Sequence, residues 1–179
     1  MAKKAWQQLL SSIDVDTSYG TLSPVSSKRL DAFEEKHGIK LPRSYRTYCE
    51  VFGPGEFARR FKVAVPGYKG KAKTFLLEDL NKRAHEGLEY EHYSKDPEQH
   101  MRGVFYCIDI VRSYHFFDPM EVTDPRRNEY AVYTLCDDFK VRRTADNFWD
   151  FVTEFVLGSN YRRLVKGAAP ERVFTPVAF

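Results

Sequence analysis

The sequence predicts an α+β fold, with N-terminal helices and a C-terminal helix packed on a mainly antiparallel sheet. Three observations predict it. Residues 27–55 read as two helices joined by Gly-Ile-Lys-Leu-Pro and stopped by Gly53-Pro54-Gly55. Residues 104–143 hold a series of short strand-like runs. Phe148, Phe151, Val152, Phe155 and Val156 then return to helical spacing, a buried face at offsets 0, 3, 4, 7 and 8.

In chain order, Trp6, Leu9, Leu10 and Ile13 predict a helix over residues 4–13, followed by a polar linker from Asp14 to Ser26. Ser27 is expected to cap the next helix, with Asp31 near its positive end and Leu30 and Phe33 on one face. Gly38 suits the left-handed residue that ends it, and Pro42 suits a first helical position. Tyr45, Tyr48, Cys49 and Phe52 form the apolar stripe of the second helix, where Arg46 and Glu50 are spaced to pair. Phe61–Val65 alternates as a strand, and Lys69, Lys71 and Lys73 fall in a loop. Leu77, Leu80, Ala84 and Leu88 predict a helix over about 75–93, then a loop over 94–102. Strands are expected at Val104–Val111, Ser113–Phe117 (broken by Asp118-Pro119), Glu129–Cys136 and Phe139–Arg143. Thr144 is expected to cap the last helix and Gly158 to end it.

The 179 residues suffice for one domain that buries about 70% of its unfolded surface. That domain is expected at 1–158, with a basic tail at 159–179. The tail carries Arg162, Arg163, Lys166 and Arg172 against Glu171, so the whole +3 formal charge resides there and residues 1–158 are neutral. A neutral fold argues against a nucleic-acid-binding domain. Neither a membrane-length apolar run nor an apolar leader segment is present, so a cytoplasmic location is expected. Cys49, Cys107 and Cys136 are odd in number and lack metal spacing, which predicts reduced thiols.

The stretch Leu30, Phe33, Glu34, Gly38, Ile39, Leu41, Pro42, Tyr45 and Tyr48, with Gly53 and Gly55 in the following turn, resembles the SUKH superfamily. That superfamily includes yeast cell-wall-synthesis regulators and many bacterial toxin-immunity proteins. Its members often carry Asn-Gly-Gly after the second helix, where this chain has Phe52-Gly53-Pro54-Gly55-Glu56. The resemblance implies a SUKH-like, non-enzymatic domain that binds a protein, most directly an immunity protein that occludes a toxin.

Three patterns of residues suggest other chemistry. Asp118 with Asp138-Phe139-Lys140 matches the acid…acid-x-Lys core of metal-dependent nucleases, but chance supplies about two acid-x-Lys matches at this composition and the chain has two. His85, Glu89 and His92 share a helical face without a fourth ligand. Gly67-Tyr68-Lys69-Gly70 matches a backbone-clamping GxxG, but it follows a strand rather than joining two helices. No cofactor or metal is therefore expected. Arg59, Arg60, Tyr114, Arg142 and Arg143 flank strands or turns outside the core stripes and are the expected partner-facing groups. Glu86, Glu89, Glu91, Asp96 and Glu98 offer an acidic patch for a basic partner. A cellular scaffold or regulator is the alternative, its tail docking clients through Val173, Phe174, Val177 and Phe179.

Overall fold

The computed structural model describes residues 3–89, 97–136, 140–160 and 169–178. The N-terminal part contains α1 (Lys3–Ser11), β1 (Asp14–Val15), α2 (Ser27–His37), α3 (Arg43–Val51), β2 (Gly55–Phe57), β3 (Phe61–Val63) and α4 (Leu77–Glu89). There follow α5 (Pro97–Arg102), β4 (Val104–Asp109), β5 (Tyr114–Asp124), β6 (Glu129–Leu135) and β7 (Val141–Ala145). The last helix, α6, opens as an α-helix over Phe148–Asp150 and continues as a π-helix over Phe151–Val156; the last strand is β8 (Val173–Pro176). The strands form one sheet in the order β1-β8-β2-β3-β4-β5-β6-β7, antiparallel throughout except for the parallel β1–β8 pair. The α+β reading is what the structure shows.

The core is built from rings. Successive residues of a strand point to opposite faces, so Phe105 and Tyr106 serve different layers. On one face Tyr106 stacks on Phe117 at 4.7 Å and meets Phe148 of α6 edge-on at 5.0 Å. Tyr45 of α3 joins them, its ring 5.2 Å from Phe148 and its hydroxyl donating to the Ala64 carbonyl at 2.6 Å. Trp6 of α1 closes this layer against Trp149 at 4.8 Å. On the other face Phe105 packs on Phe116 at 4.9 Å under His85 of α4 and His100 of α5. Where β3 leaves β4, the Asn81 amide replaces it, donating to the Phe105 carbonyl at 2.7 Å and accepting its N–H at 2.9 Å. A side-chain amide carries the same donor–acceptor pair as a backbone unit, so no buried polar group of Phe105 is orphaned.

Several local expectations are corrected. Ser26, not Ser27, precedes the first turn of α2; Ser27 Oγ donates to Glu50 at 2.7 Å. That engages the expected partner of Arg46, which instead pairs with Asp31 at 2.8 Å and Glu34 at 3.0 Å. Pro42 occupies the cap of α3 and offers no side-chain acceptor. A remote carboxylate does this work: Glu129 accepts the Ser44 N–H at 2.9 Å and the Ser44 hydroxyl at 2.6 Å. The expected loop at 94–102 is a helix from Pro97, whose missing N–H is harmless at a helix start. Strand β5 continues through Asp118-Pro119 to Asp124, with register shifts absorbing the proline. Asn147 rather than Thr144 caps α6, accepting from the Asp150 N–H at 3.0 Å.

The largest difference concerns residues 159–179. Val173–Pro176 is not an appended tail but β8, inserted between β1 and β2. Val173 and Phe174, expected as exposed docking anchors, are buried, while Val177 is half-buried and Phe179 lies outside the described residues. Among the described residues, no helix is long and apolar enough to cross a membrane.

Candidate functional site: a rim at one end of the sheet

Strand register gathers two turns and the paired ends of β6 and β7 at one end of the sheet. Phe61 at the start of β3 pairs with Asp109 at the end of β4. Tyr114 at the start of β5 pairs with both Ile108 and Leu135, and Leu135 pairs with Val141. The β2–β3 turn (Ala58–Arg60) and the β4–β5 turn (Ile110–Ser113) therefore share a rim with the paired ends of β6 and β7, Leu135 and Val141; residues 137–139 lie outside the described residues. With neighbouring strands about 4.8 Å apart, the β2–β3 turn lies about 20 Å from the β6 and β7 ends with the β4–β5 turn between them.

The central turn is apolar, exposed and rigid. Ile110 and Val111 are 50% and 58% exposed. Asp109 fixes their backbone: one carboxylate oxygen accepts the Val111 N–H at 2.9 Å and the Ser113 N–H at 2.8 Å, and its carbonyl accepts the Arg112 N–H at 3.1 Å. An aspartate at the first turn position commonly does this. Strain marks the same rim. Among the described residues, four non-glycine residues have left-handed backbones, and three of them lie here: Ala58 at φ 51°, Arg59 at φ 52° and Arg112 at φ 66°. Each costs about 1–2 kcal/mol relative to the right-handed region, and such residues cluster at functional sites.

Four of the five expected site residues lie at this end of the sheet, spread along the rim. Arg59 reaches Glu171 at 2.9 Å and Asp16 at 3.3 Å, and Arg60 follows it into β3. Tyr114 is half-buried with its ring edge-on to Phe105 at 5.9 Å. Arg142 is exposed on β7. Arg143 is turned along the sheet, held by Glu121 at 2.7 Å and Asp146 at 2.8 Å, with the Tyr133 hydroxyl donating to the same Glu121. Beside the paired ends of β6 and β7 lies a recess of about 320 Å³ lined by Thr134, Cys136, Arg142, Arg143, Thr144 and Phe155. Behind it runs a polar chain: His115 Nδ1 is 2.9 Å from Thr134 Oγ1, which is 2.6 Å from Thr144 Oγ1. The other His115 nitrogen faces Asp109 at 3.8 Å, connecting the recess to the central turn. Burial pushes the imidazole below its ordinary range, only partly opposed by Asp109, so His115 is neutral at pH 7.

Sequence reasoning missed Ile110, Val111, Asp109 and His115. The first two read as the end of a strand. The available signal was Asp109 three residues before Arg112-Ser113, the spacing of an aspartate-initiated turn.

The alternative chemistries fare differently. Both Asp118 oxygens are engaged by Arg102 at 2.7 and 2.9 Å, with Gln99 and the Met120 N–H adding to them; Asp138 lies outside the described residues. Burial alone would raise the Asp118 carboxyl, but these donors outweigh it and hold it below the usual range. His85 Nε2 lies 3.2 Å from the Gly103 carbonyl, and His92 is outside the described residues. Among the described residues, no three His, Cys, Asp or Glu side chains converge as a metal site would require. In the Gly67–Gly70 loop, the Gly67 N–H donates to Glu78 at 3.2 Å and Tyr68 is buried, its hydroxyl on the Ala178 carbonyl at 2.9 Å. That loop is pinned rather than free to clamp a backbone. Cys49 and Cys107 are buried, and burial pushes both thiols up, away from nucleophilic thiolate. Of the acidic patch, Glu86 and Glu98 are exposed on α4 and α5, whereas Glu91 and Asp96 lie outside the described residues.

These features define an α+β domain in which a helical hairpin and α6 brace an antiparallel sheet. The family model described as SMI1 / KNR4 family (SUKH-1) matches residues 24–154, and the chain belongs to that family. The matched span holds β2 to β7 and both rim turns; α1, β1 and β8 lie outside it. Comparison with curated proteins gives no match.

Proposed function

We propose that the chain is a non-enzymatic protein-binding module, an immunity protein that neutralises a toxin by direct binding through the rim. One observation carries the reading: an exposed Ile110-Val111 pair, held by Asp109 in a strained turn, stands beside the strained, arginine-bearing β2–β3 turn. Interface energy concentrates in a few apolar and arginine anchors, and a turn already fixed by Asp109 loses little entropy on docking. SUKH membership supports a binding role over catalysis, and the free thiols fit a reducing cytoplasm.

The test is capture from the source organism with the wild-type chain as bait, followed by co-expression of the captured protein. Rescue of growth by the wild type, and loss of both capture and rescue with Ile110→Asp/Val111→Asp at an unchanged thermal midpoint, is the expected result. A doubly substituted chain that captures and protects like the wild type places the binding surface elsewhere. Capture without rescue assigns the scaffold or regulator role instead.

A further inference from the structure

We infer that β8 is an exchangeable strand, and that the slot between β1 and β2 takes the same segment of a second copy of this chain. The slot is cut to one sequence. On the β2 side Phe57, Glu56 and Gly55 pair with Phe174, Thr175 and Pro176; on the β1 side Asp14 and Val15 pair with Val173 and Phe174. The Phe174 ring is fully buried, 4.8 Å from Phe57, 4.9 Å from Phe52 and 6.5 Å from Tyr48. Three glycines make room for the segment. A Cβ on Gly55 would clash with the Phe174 ring and one on Gly20 would meet the Ala178 nitrogen at 2.5 Å, while one on Gly70 would first strike the Tyr68 hydroxyl, which donates to the Ala178 carbonyl at 2.9 Å.

Every one of these contacts joins residues 173–178 to the body of the domain and would be identical if the segment came from a neighbour. Exchange therefore changes only the path of the connection between Val156 and Val173. Those sixteen intervening residues reach at most about 55 Å, enough to cross to an adjacent copy. The occupant is the chain itself because the glycines and the Phe174 pocket read this segment, and reciprocal exchange closes on a two-fold axis. Without β8 the short β2 would be an open edge, the kind of surface that recruits a strand.

Glu56 and Thr175 are directly paired across β2 and β8, which gives a covalent test. In a Cys136→Ser background, a Glu56→Cys chain is mixed with a Thr175→Cys chain at high concentration and oxidised, and Glu56→Cys/Thr175→Cys in one chain serves as reference. A disulfide between positions 56 and 175 of different chains, with a light-scattering mass that doubles as concentration rises, is the expected result. Closure only within the doubly substituted chain overturns the proposal. So does a monomeric mass for the unmodified chain at every accessible concentration, whatever the cysteine variants do.

Discussion

Replacing Arg112 by glycine should stabilise the domain while weakening its binding. Arg112 closes a turn in which the Asp109 carbonyl accepts its N–H at 3.1 Å, and its φ is 66°. Hairpins that pair a tight turn with one left-handed residue ordinarily place glycine there. A side chain in that conformation costs about 1–2 kcal/mol. Glycine removes the cost but gives the unfolded chain extra freedom, which returns about 0.4–1 kcal/mol. The net gain is about 0.5–1 kcal/mol, or about 1–4 °C in Tm for a domain of this size. Arg59→Gly should gain less, because it also loses the pairs with Asp16 and Glu171. Urea and thermal unfolding measure the first effect, and affinity for the captured partner the second. A lower midpoint for Arg112→Gly would refute the strain argument. An unchanged affinity would remove Arg112 from the binding surface.

Three further outcomes follow from buried polar groups. Glu129→Ala should cost about 2–4 kcal/mol in urea unfolding, because it strands the Ser44 N–H and hydroxyl at a helix start, whereas Glu129→Gln should cost under about 1 kcal/mol because the amide oxygen still accepts the Ser44 N–H and the amide N–H donates to the Ser44 hydroxyl oxygen. Burial raises the Glu129 carboxyl despite the Ser44 bonds, so its contribution is greatest below 4.5 and fades as pH rises; the stability of Glu129→Gln relative to wild type should therefore improve from pH 4.5 upward. For His115, whose folded value is depressed by burial, stability is full above 6.5 and lost as pH falls; unfolding midpoints at pH 7.5 and 5.5 should differ more in wild type than in His115→Gln. Arg102→Ala should cost about 1–3 kcal/mol at pH 7, and the deficit should shrink below 3.8 as Asp118 protonates; a pH-independent deficit would mean the ion pair is irrelevant.

The parts of the fold legible in the sequence are those where one element buries one face. The α3 stripe of Tyr45, Tyr48, Cys49 and Phe52 and the α6 stripe from Phe148 to Val156 need only helical spacing to be read, and all but the half-buried Phe155 are fully enclosed. Caps failed where the acceptor came from far away. Nothing near Pro42 announces that Glu129, 85 residues after Ser44, will serve the first turn of α3. Strands failed where pairing outweighed composition. Glu-Phe after a glycine, and Val-Phe-Thr-Pro beyond a basic run, are too short to show alternation; each becomes a strand because the other is beside it.

The rim was illegible for a related reason. Ile110 and Val111 extend an apolar run, and by periodicity they belong to the strand that precedes them. What turns them outward is Asp109, which caps the backbone and is itself 8% exposed, with the buried His115 beside it. The expected arginines were named for lying near turns, and register brings Arg59, Arg60 and Arg142 to one end, while Arg143 braces β7 against Glu121. Charge alone would not make this rim a site, since several of its cations already hold ion pairs. An exposed apolar pair costs solubility, and left-handed Ala58, Arg59 and Arg112 cost stability, a cost that the Ala58 N–H bond to the Val173 carbonyl and the Arg59 ion pairs offset in part. It is the exposed Ile110-Val111 pair on a strained turn that the proposed docking surface would account for.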